Sequence, residues 1–336
     1  MKIAILSPIA WRTPPRKYGP WEQMASLIAE GLMENGHEVT LFATGDSVTS
    51  GKLDAVCPVP YEEQTDMDVK VWEGLHISNI MEKAAAFDVI HNHYDFLPLT
   101  YSRLIKTPMI TTIHGFSSEK IIPVYKKYNP STTYISISDA DRSPELYYDC
   151  TIYHGVDDLT FKYQPFKEDY LLFYGRIHPH KGTLEAIEIA AQAGYPLKIV
   201  GPIQDQHYFN HFIAPKIDAK NVMYLGHVSQ LEGNILLGKA KCLLHPILFN
   251  EPFGLSVVEA MMCGTPVIAF SRGSMPELIQ NEKTGFLVHH VSEAVAAVKK
   301  INYIEPSLCR AHALHHFSIA KMIRSYIAVY TRVANQ

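Results

Sequence analysis

Short runs of apolar residues alternate with longer amphipathic stretches along almost the whole chain. Residues 2–8 read KIAILSP, and residues 37–44 read HEVTLFAT. Between them, Met24, Leu27, Ile28 and Leu32 recur at helical spacing and predict one buried face of a helix. The strand-like runs are apolar over most of their length, as in parallel strands that are covered on both faces. The pattern predicts an α/β protein built from strand–helix–strand units.

A break in this pattern falls at residues 155–170. The segment GVDDLTFKYQPFKEDY is polar, contains a proline and has no clear period. A chain of 336 residues exceeds the size at which a single core usually keeps growing. We therefore predict an N-terminal domain of residues 1–157 and a second α/β domain that begins at residue 158. Doubly wound sheets of this kind bind ligands in a crevice at the carboxyl ends of their strands.

Charge and cysteine content narrow the classes of function. The formal net charge of −4 gives no overall basic field, so we expect no nucleic-acid partner. Five cysteines without a CxxC pair are typical of reduced thiols, and we expect a cytoplasmic location. The first apolar run is strand-length and is followed by RTPPRKYGP, which is unlike a signal peptide. No run reaches the roughly 18–20 apolar residues of a membrane span, and peripheral membrane contact stays open.

A turn rich in glycine and cations follows the first strand of the second domain. Gly175, Arg176, Lys181 and Gly182 precede a helix that we predict to begin near Thr183. Glycine lets the backbone approach an anion, and a helix N-terminus favours negative charge. Arginine can hold phosphate through its planar guanidinium, and lysine as a point charge. Alone, the stretch fits a phosphate site or a solvated surface turn equally well. It is not a P-loop, because GxxxxGK[ST] is absent.

Two carboxylates, Glu251 and Glu259, stand eight positions apart in the mostly apolar stretch 245–269. Burying a charge is costly unless another group satisfies it. We predict that Glu251 lies on a loop before a helix that begins at Gly254 or Leu255, with Glu259 just over one turn inside. Such carboxylates could accept hydrogen bonds from sugar hydroxyls while the first helix amides hold an anion. The alternative is a helix end stabilised by Glu251, with Glu259 paired to a buried cation.

Several segments taken together resemble the retaining glycosyltransferases of family 4. In the second half of the chain they are GRIHPHKG, NEPFGLSVVEAMMCGTPVIA, GSMPELI and TGFLV. In the first half the resemblance is looser and rests on DVIHNHYDF, ITTIHG, ISISDADR and IYHGVD. The resemblance implies the GT-B fold, in which two Rossmann-like domains face each other across a cleft. It also implies that the donor domain ends near residue 316 and that a helix of residues 317–336 returns to the N-terminal domain.

The resemblance also implies roles for individual residues. Arg176 and Lys181 would hold the donor diphosphate, Glu259 would bind the ribose, and Glu251 would lie near the donor sugar. His114, in TIHG, matches the family's histidine beside the anomeric centre. The catalytic candidates are His114, Glu251, Arg176 and Lys181. The donor-binding candidates are Gly19, Gly175, Arg176, Lys181, Glu251, Phe253, Gly254, Leu255 and Glu259.

The chain departs from the family at two places. The first loop has a Gly-Pro step at 19–20 where relatives often have two glycines, and proline removes a backbone donor. Phosphate contact there would fall to Gly19 alone, or to Arg12, Arg16 or Lys17. This loop resembles that of a subset of UDP-glucose-dependent glucosyltransferases of small acceptors such as tetrahydrobiopterin. His154 stands where relatives usually have asparagine, and we expect it to alter interdomain packing more than chemistry.

Four residues of the first half are candidates for acceptor binding: Trp11, Tyr18, His91 and His93. The two tryptophans Trp11 and Trp21 flank the first loop with Tyr18, where stacking on an acceptor and ordinary packing fit equally well. The i, i+2 spacing of His91 and His93 leaves a metal pair, a pocket lining and a hydrogen-bonded core open. Family members generally work without a catalytic metal, so no metal and no cofactor are expected.

The expected reaction transfers a hexose from a nucleotide sugar to the hydroxyl of a small-molecule, glycan or lipid-linked acceptor, with retention of configuration. UDP-glucose is the favoured donor, and GDP-mannose is the alternative. Front-face attack fits better than a covalent intermediate, because no carboxylate nucleophile is evident. A nucleotide-sugar epimerase and a non-catalytic nucleotide-sugar binding protein remain rival interpretations. A nicotinamide dehydrogenase is disfavoured, since GxGxxG does not follow the first strand.

Overall fold

The chain forms two compact units in the computed structural model, which describes residues 1–16, 19–64 and 66–335. Unit 1 contains Met1–Ile137, Arg142–Tyr153 and Ile319–Gln336. Unit 2 contains Ser138–Asp141 and His154–Ser318. Neither unit is one continuous stretch of chain. The sequence did not predict that residues 138–141 group with unit 2.

Unit 1 is built on a seven-stranded parallel sheet in the order β3-β2-β1-β4-β5-β6-β7. Consecutive residues Ile3, Ala4 and Ile5 are all fully buried, so the sheet is covered on both faces, as their apolar run predicts. The strands are β1 (Lys2–Leu6), β2 (Glu38–Phe42), β3 (Lys52–Asp54), β4 (Val89–Asn92), β5 (Met109–Ile113), β6 (Thr133–Ser136) and β7 (Cys150–Thr151).

Helices of unit 1 come from both ends of the chain. They are α1 (Pro20–Glu34), α2 (Val69–Glu82), α3 (Ile122–Tyr128) and α11 (Ile319–Ala334). Helix α1 buries Met24, Ile28 and Leu32 of the predicted face, while Leu27 is half-buried. Helix α11 packs against α1, with Ile323 beside Gly31. The last helix of the chain therefore completes the unit that the first strand begins.

Unit 2 is built on a six-stranded parallel sheet in the order β10-β9-β8-β11-β12-β13. Its strands are β8 (Leu171–Tyr174), β9 (Leu197–Val200), β10 (Val222–Tyr224), β11 (Cys242–His245), β12 (Val267–Phe270) and β13 (Gly285–Val288). Its helices are α4 (Thr183–Ala193), α5 (Gln206–Tyr208), α6 (Gln230–Lys239), α7 (Leu255–Met262), α8 (Met275–Leu278), α9 (Val291–Lys300) and α10 (Pro306–Phe317).

Each sheet has a point where the strand order reverses, between β1 and β4 in unit 1 and between β8 and β11 in unit 2. Ligands of doubly wound proteins bind at the carboxyl ends of the strands beside such a point. The prediction of an α/β protein with two parallel-sheet Rossmann-like domains is confirmed. Helices α4 and α7 begin at the predicted residues, Thr183 and Leu255. Among the helices of the described residues, none has the length and apolar character needed to cross a membrane.

Candidate functional site

The turn between β8 and α4 carries the first group of candidate residues in unit 2. Gly182 caps α4 with φ of 74°, a left-handed conformation that favours glycine. A Cβ atom at this position would lie 1.9 Å from the carbonyl oxygen of Pro246, just after β11. The glycine therefore lets the β8–α4 turn pack directly on the backbone that follows β11. This contact sets Lys181 at the switch point of the sheet.

Lys181 and Glu251 form an ion pair, with the lysine Nζ 2.5 Å from the carboxylate Oε2. Both side chains are largely buried, at 14% and 12% exposure. The lysine Nζ also lies 4.8 Å from the ring centroid of Phe249, a favourable cation–π position. His245 lies 3.7 Å from the same carboxylate oxygen, and burial lowers its pKa to about 4. The structure thus brings together two predicted residues that are 70 positions apart.

The loop that holds Glu251 is fixed by the segment that follows β12. The amide of Ser274 donates to the carbonyl of Glu251 at 3.0 Å. A Cβ atom on Gly273 would lie 2.3 Å from the Glu251 amide nitrogen, so only glycine allows this approach. These residues belong to the GSMPELI segment, but the sequence alone did not show what they touch.

A second support for this loop comes from residues 138–141. Ser138 donates its hydroxyl to the carbonyl of Pro252 at 2.6 Å. The amides of Asp139 and Ala140 donate to the two carboxylate oxygens of Glu277 at 2.9 and 2.7 Å. Ser138 and Glu277 are positioning residues that the sequence analysis missed. They hold residues 138–140 against Pro252, in the loop before α7, and against Glu277 of α8.

Glu259 occupies the second turn of α7, whose N-cap is Gly254. Burial raises the pKa of its carboxyl to about 7. Within residues 1–16, 19–64 and 66–335, the carboxylate has no ion-pair partner, so the interpretation in which it pairs with a buried cation is wrong. Desolvation, helped by the nearby Glu259, also raises the pKa of the Tyr174 phenol at the end of β8. An acid whose ionised form is destabilised at a sheet switch point is a functional candidate.

The remaining candidates of unit 2 lie around these groups. Gly175 and Arg176 follow directly after β8, and a Cβ on Gly175 would meet no atom within 4 Å. Phe253 is buried beside the start of α7, next to Leu255. His154 packs edge-on against Phe253 at a centroid distance of 5.0 Å, and burial lowers its pKa to about 3. Our expectation about its effect on interdomain packing stays a prediction.

In unit 1, the three candidate histidines lie together at the ends of β4 and β5. His93 Nδ1 lies 2.9 Å from His114 Nε2, and His93 Nε2 lies 3.1 Å from His91 Nδ1. His91 and His93 are fully buried, while His114 is 8% exposed and stacks under Trp21 at 5.6 Å. Of the three interpretations of the His91–His93 pair, the geometry matches the hydrogen-bonded core. Their predicted role in acceptor binding would then be exerted through His114.

The first loop of unit 1 is organised around a residue that the sequence analysis missed. Glu22, in the first turn of α1, is 3% exposed and accepts a hydrogen bond from the amide of Trp11 at 3.2 Å. Burial raises the pKa of Glu22 to about 7. Gly19 lies against both Trp11 and Glu22. The sequence signal that could have identified Glu22 is the position of an acidic residue three residues after Gly19 in this loop. The candidate Tyr18, and Lys17 beside it, lie outside the described residues.

Two other cations of this loop contact acidic and carbonyl groups. Arg12 donates to the carbonyl of Asp46 at 2.8 Å. Arg16 pairs with Asp46 at 3.1 Å and with Glu63 at 2.7 Å. Both arginines are held within unit 1 by these contacts, so either would have to give up a contact to reach a phosphate.

Two family descriptions match the chain. "Glycosyl transferases group 1" matches residues 157–310, which include the Lys181–Glu251 pair and Glu259. "Glycosyltransferase Family 4" matches residues 22–142, which include the three histidines. The chain is therefore similar to glycosyltransferases in both of its units. Trp11 and Gly19 precede the matched residues.

Individual proteins agree with these two matches. An uncharacterised glycosyltransferase of Methanocaldococcus jannaschii is 25% identical over 348 residues, covering 86% of this chain and 85% of the relative. Sucrose-phosphate synthase from Thermosynechococcus elongatus has a TM-score of 0.82 at 18% identity, covering 98% of each chain. HepE of Anabaena, solved with UDP and glucose, has a TM-score of 0.75 at 19% identity, covering 99% of this chain and 100% of HepE. At these identities the two solved structures show a shared fold.

Proposed function

We propose that this glycosyltransferase moves a hexose from a UDP-linked sugar, with UDP-glucose favoured, to an acceptor hydroxyl with retention of configuration. The observation that carries the proposal is Glu259, one turn into α7, a carboxyl with no ion-pair partner among the described residues that lies eight positions after Glu251 of the Lys181–Glu251 pair. The combination offers hydrogen-bond acceptors for hydroxyl groups next to groups that attract an anion. A nucleotide sugar carries both features.

The donor diphosphate would bind where the positive groups of unit 2 converge. Lys181 supplies a largely buried ammonium group, and Arg176 follows β8 two residues after its end. The N-termini of α4 and α7 add backbone amides that favour an anion. Lys181 would exchange part of its contact with Glu251 for the phosphate oxygens when the donor binds. Glu251 would then accept a hydrogen bond from the donor sugar.

The nucleoside would bind at Glu259. An ionised carboxylate accepts hydrogen bonds from two adjacent hydroxyls, which is the arrangement that ribose presents. HepE, a protein of the same fold, has been solved with UDP and glucose, which supports a UDP-linked donor. GDP-mannose remains the alternative donor.

The chemistry that we propose is front-face attack. The acceptor oxygen bonds to the anomeric carbon on the face that the diphosphate leaves, while the bond from that carbon to the phosphate oxygen breaks. The acceptor proton passes to the leaving phosphate oxygen. Lys181, Arg176 and the helix amides would stabilise the charge that grows on the diphosphate, where preorganised electrostatics contributes most. We expect no metal to be required, so activity should persist in EDTA.

Acceptor binding is assigned to unit 1. Trp11 lies beside Gly19, and His114 is the most exposed of the three linked histidines. We propose that His114 contacts the transferred sugar and that the first loop contacts the acceptor. A small acceptor such as a pterin fits the resemblance of that loop, and a glycan or lipid-linked acceptor remains open.

A thermal-shift screen tests the donor site. Wild type, Glu259→Gln and Glu188→Gln are heated with UDP, GDP, ADP and their common sugar conjugates. Glu188 is an exposed acid on α4 and serves as the matched control. We expect one nucleotide series, that of UDP, to raise Tm by mass action in wild type and in Glu188→Gln, and much less in Glu259→Gln.

The other outcomes distinguish the alternatives. A rise in Tm with the GDP series in place of the UDP series would mean that the donor is GDP-linked, and the assignment of the donor site would be unchanged. No shift with any nucleotide contradicts the donor site. Conversion of the bound UDP-sugar to its epimer without an acceptor identifies an epimerase.

A further inference from the structure

The ammonium group of Lys181 is held by two side chains of one loop, the loop between β11 and α7. Its Nζ lies 2.5 Å from Glu251 Oε2 and 4.8 Å from the ring centroid of Phe249. One residue separates Phe249 from Glu251, so the ring and the carboxylate come from alternate positions of the same short segment. The carboxylate is an anion, whereas the ring is neutral. The proposed function uses the carboxylate and leaves the ring without a role.

Backbone contacts fix the start of the lysine side chain but not its charged end. The amide of Leu248 donates to the carbonyl of His180 at 2.8 Å, and Gly182 packs on the carbonyl of Pro246. The residues on both sides of Lys181 are therefore fixed. A flexible stem of four carbons still separates the Lys181 backbone from its ammonium group. Side-chain contacts are therefore needed to set where the charge lies.

The two contacts of Lys181 should respond differently to an arriving diphosphate. Under the proposed function, phosphate oxygens replace Glu251 as the partner of the ammonium group, and Glu251 turns to the donor sugar. The carboxylate and the phosphate are both anions and compete for one cation. An aromatic face attracts a cation through its quadrupole and carries no net charge. Phe249 can therefore keep its contact with the ammonium group while the anionic partner changes.

We propose that Phe249 is a positioning residue that keeps the Lys181 ammonium group at the anion site while Glu251 is exchanged for the donor diphosphate. The inference rests on the proposed function, in which Lys181 binds that diphosphate. The lysine side chain is 14% exposed, and a cation–π contact is stronger when the cation is desolvated. The ring also takes the place of water on one side of the ammonium group, which strengthens the attraction of the cation for phosphate.

A matched control exists at the opposite edge of the same sheet. Lys241 Nζ lies 2.9 Å from Asp169 Oδ1 and 5.1 Å from the ring centroid of Tyr195. These three residues directly precede or lie just before strands β11, β8 and β9, at the amino ends of the strands. Ligands of doubly wound sheets bind at the carboxyl ends, where Lys181 lies. Tyr195→Leu therefore removes the same kind of contact away from the proposed site.

Calorimetric titrations with UDP, inorganic pyrophosphate and uridine test the proposal. Phe249→Leu removes the aromatic face and keeps an apolar side chain, while Phe249→Tyr keeps the face. We expect Phe249→Leu to bind UDP and pyrophosphate roughly tenfold more weakly than wild type. Phe249→Tyr and Tyr195→Leu should bind both as wild type does. Uridine has no diphosphate, so its affinity should be the same in all four proteins.

Proton NMR of the lysine side chains tests the contact without any variant of Phe249. The ring current of Phe249 should shift the Cε protons of Lys181 upfield, and Lys181→Met assigns their signal. The upfield shift should persist when pyrophosphate binds, because the ring contact is retained while the carboxylate is exchanged. This measurement stays decisive if Phe249→Leu does not fold.

Four results would overturn the inference: wild-type affinity for pyrophosphate in Phe249→Leu, an equal loss in Phe249→Tyr, an equal loss for uridine, or disappearance of the upfield shift when pyrophosphate binds. If a nucleotide sugar supports transfer while Phe249→Leu behaves as wild type, the inference fails and the proposed function stands. If pyrophosphate binding depends on Phe249 while no nucleotide sugar supports transfer, the proposed function fails and the role of Phe249 at an anion site stands.

Discussion

The candidate groups of the two units are held by different kinds of interaction. In unit 2, Lys181 and Glu251 are charged partners on loops whose backbones touch through Gly182 and Gly273. In unit 1, His114 is part of a row of buried imidazole and phenol groups. One site is fixed by backbone contact and an ion pair, and the other by contacts among buried aromatic side chains with polar atoms.

The difference indicates how each site would respond to a ligand. An ion pair next to helix N-termini can exchange one anionic partner for another, so unit 2 is suited to a diphosphate that arrives and leaves. A row of buried, hydrogen-bonded side chains cannot rearrange without losing hydrogen bonds. Unit 1 is therefore suited to holding His114 in a constant orientation.

The largest effect should come from removing the charge of unit 2. Lys181→Met is expected to lower kcat by about 10² to 10³, because under the proposed function the leaving diphosphate loses a largely buried cation. The control is Lys241→Met, which removes a lysine of the same unit that pairs with the exposed Asp169 at 2.9 Å. Steady-state transfer assays measure both, and a near-normal rate in Lys181→Met would contradict the assignment.

Stability must be separated from chemistry in that experiment, because Glu251 is left without its partner. The double variant Lys181→Met/Glu251→Gln removes the uncompensated charge and should recover most of the lost stability. Its kcat should stay low. Recovery of activity together with stability would mean that Lys181 acts only on the fold.

Two glycines of one loop test whether backbone contact sets the site of unit 2. Gly182→Ala places a methyl group on the Pro246 carbonyl at a left-handed φ, and should cost about 2–4 kcal/mol of unfolding free energy. Gly175→Ala has open space around its Cβ and should cost less than about 1 kcal/mol. Chemical denaturation compares them. Equal losses of unfolding free energy in the two variants would show that the close approach of the Gly182 and Pro246 backbones does not contribute to stability.

The pH dependence of donor binding distinguishes Glu259 from the other elevated acid. With a pKa of about 7, Glu259 ionises as pH rises from 6 to 8, and affinity for UDP-glucose should rise roughly tenfold. The rise should vanish in Glu259→Gln and persist in Glu22→Gln, whose pKa is also about 7 but which lies in unit 1. Calorimetric titrations across this range measure both.

The raised pKa of Glu259 also affects stability, which should fall with rising pH while donor affinity rises. The folded state disfavours the Glu259 carboxylate, whose pKa is raised from 4.5 to about 7. Its contribution to the free energy of unfolding therefore falls as pH rises through that interval. Chemical denaturation at several pH values measures this fall. If the free energy of unfolding of Glu259→Gln falls as steeply with pH as that of wild type, the pKa of Glu259 is not raised.

The smallest effect concerns a surface charge of unit 1. Arg332 on α11 pairs with Asp149, and the arginine side chain is half-exposed. Arg332→Gln should cost less than about 1 kcal/mol, because water and salt screen exposed pairs. A larger loss of Tm would mean that α11 is held by charge and not by its apolar face.

The sequence predicted much of unit 2 because its signals are local. Strand, glycine turn and helix follow one another within 174–183, so the position of Lys181 could be inferred from the neighbouring residues. The partner of Lys181 was not local, and only the tertiary structure showed that Glu251 is that partner. The support from Ser138 and Glu277 was invisible for the same reason.

The contacts among the histidines of unit 1 could not have been predicted from any one segment. His91 and His93 appear in the sequence as an isolated pair, whereas Tyr330, whose hydroxyl contacts His91, is 239 positions away. In the sequence, α11 is an amphipathic helix whose tyrosines look like ordinary core residues. Apolar patterns predict which residues are buried, but they do not predict which hydroxyl donates to which ring nitrogen.

Because α11 completes unit 1, the ribosome makes the two halves of that unit at well-separated times. Residues 154–318 must be synthesised in between, which takes on the order of 10 to 30 s at typical elongation rates. During that interval Gly31 and His91 are without Ile323 and Tyr330. Unit 2 can therefore finish folding before unit 1, which reverses the N-to-C order usual during translation.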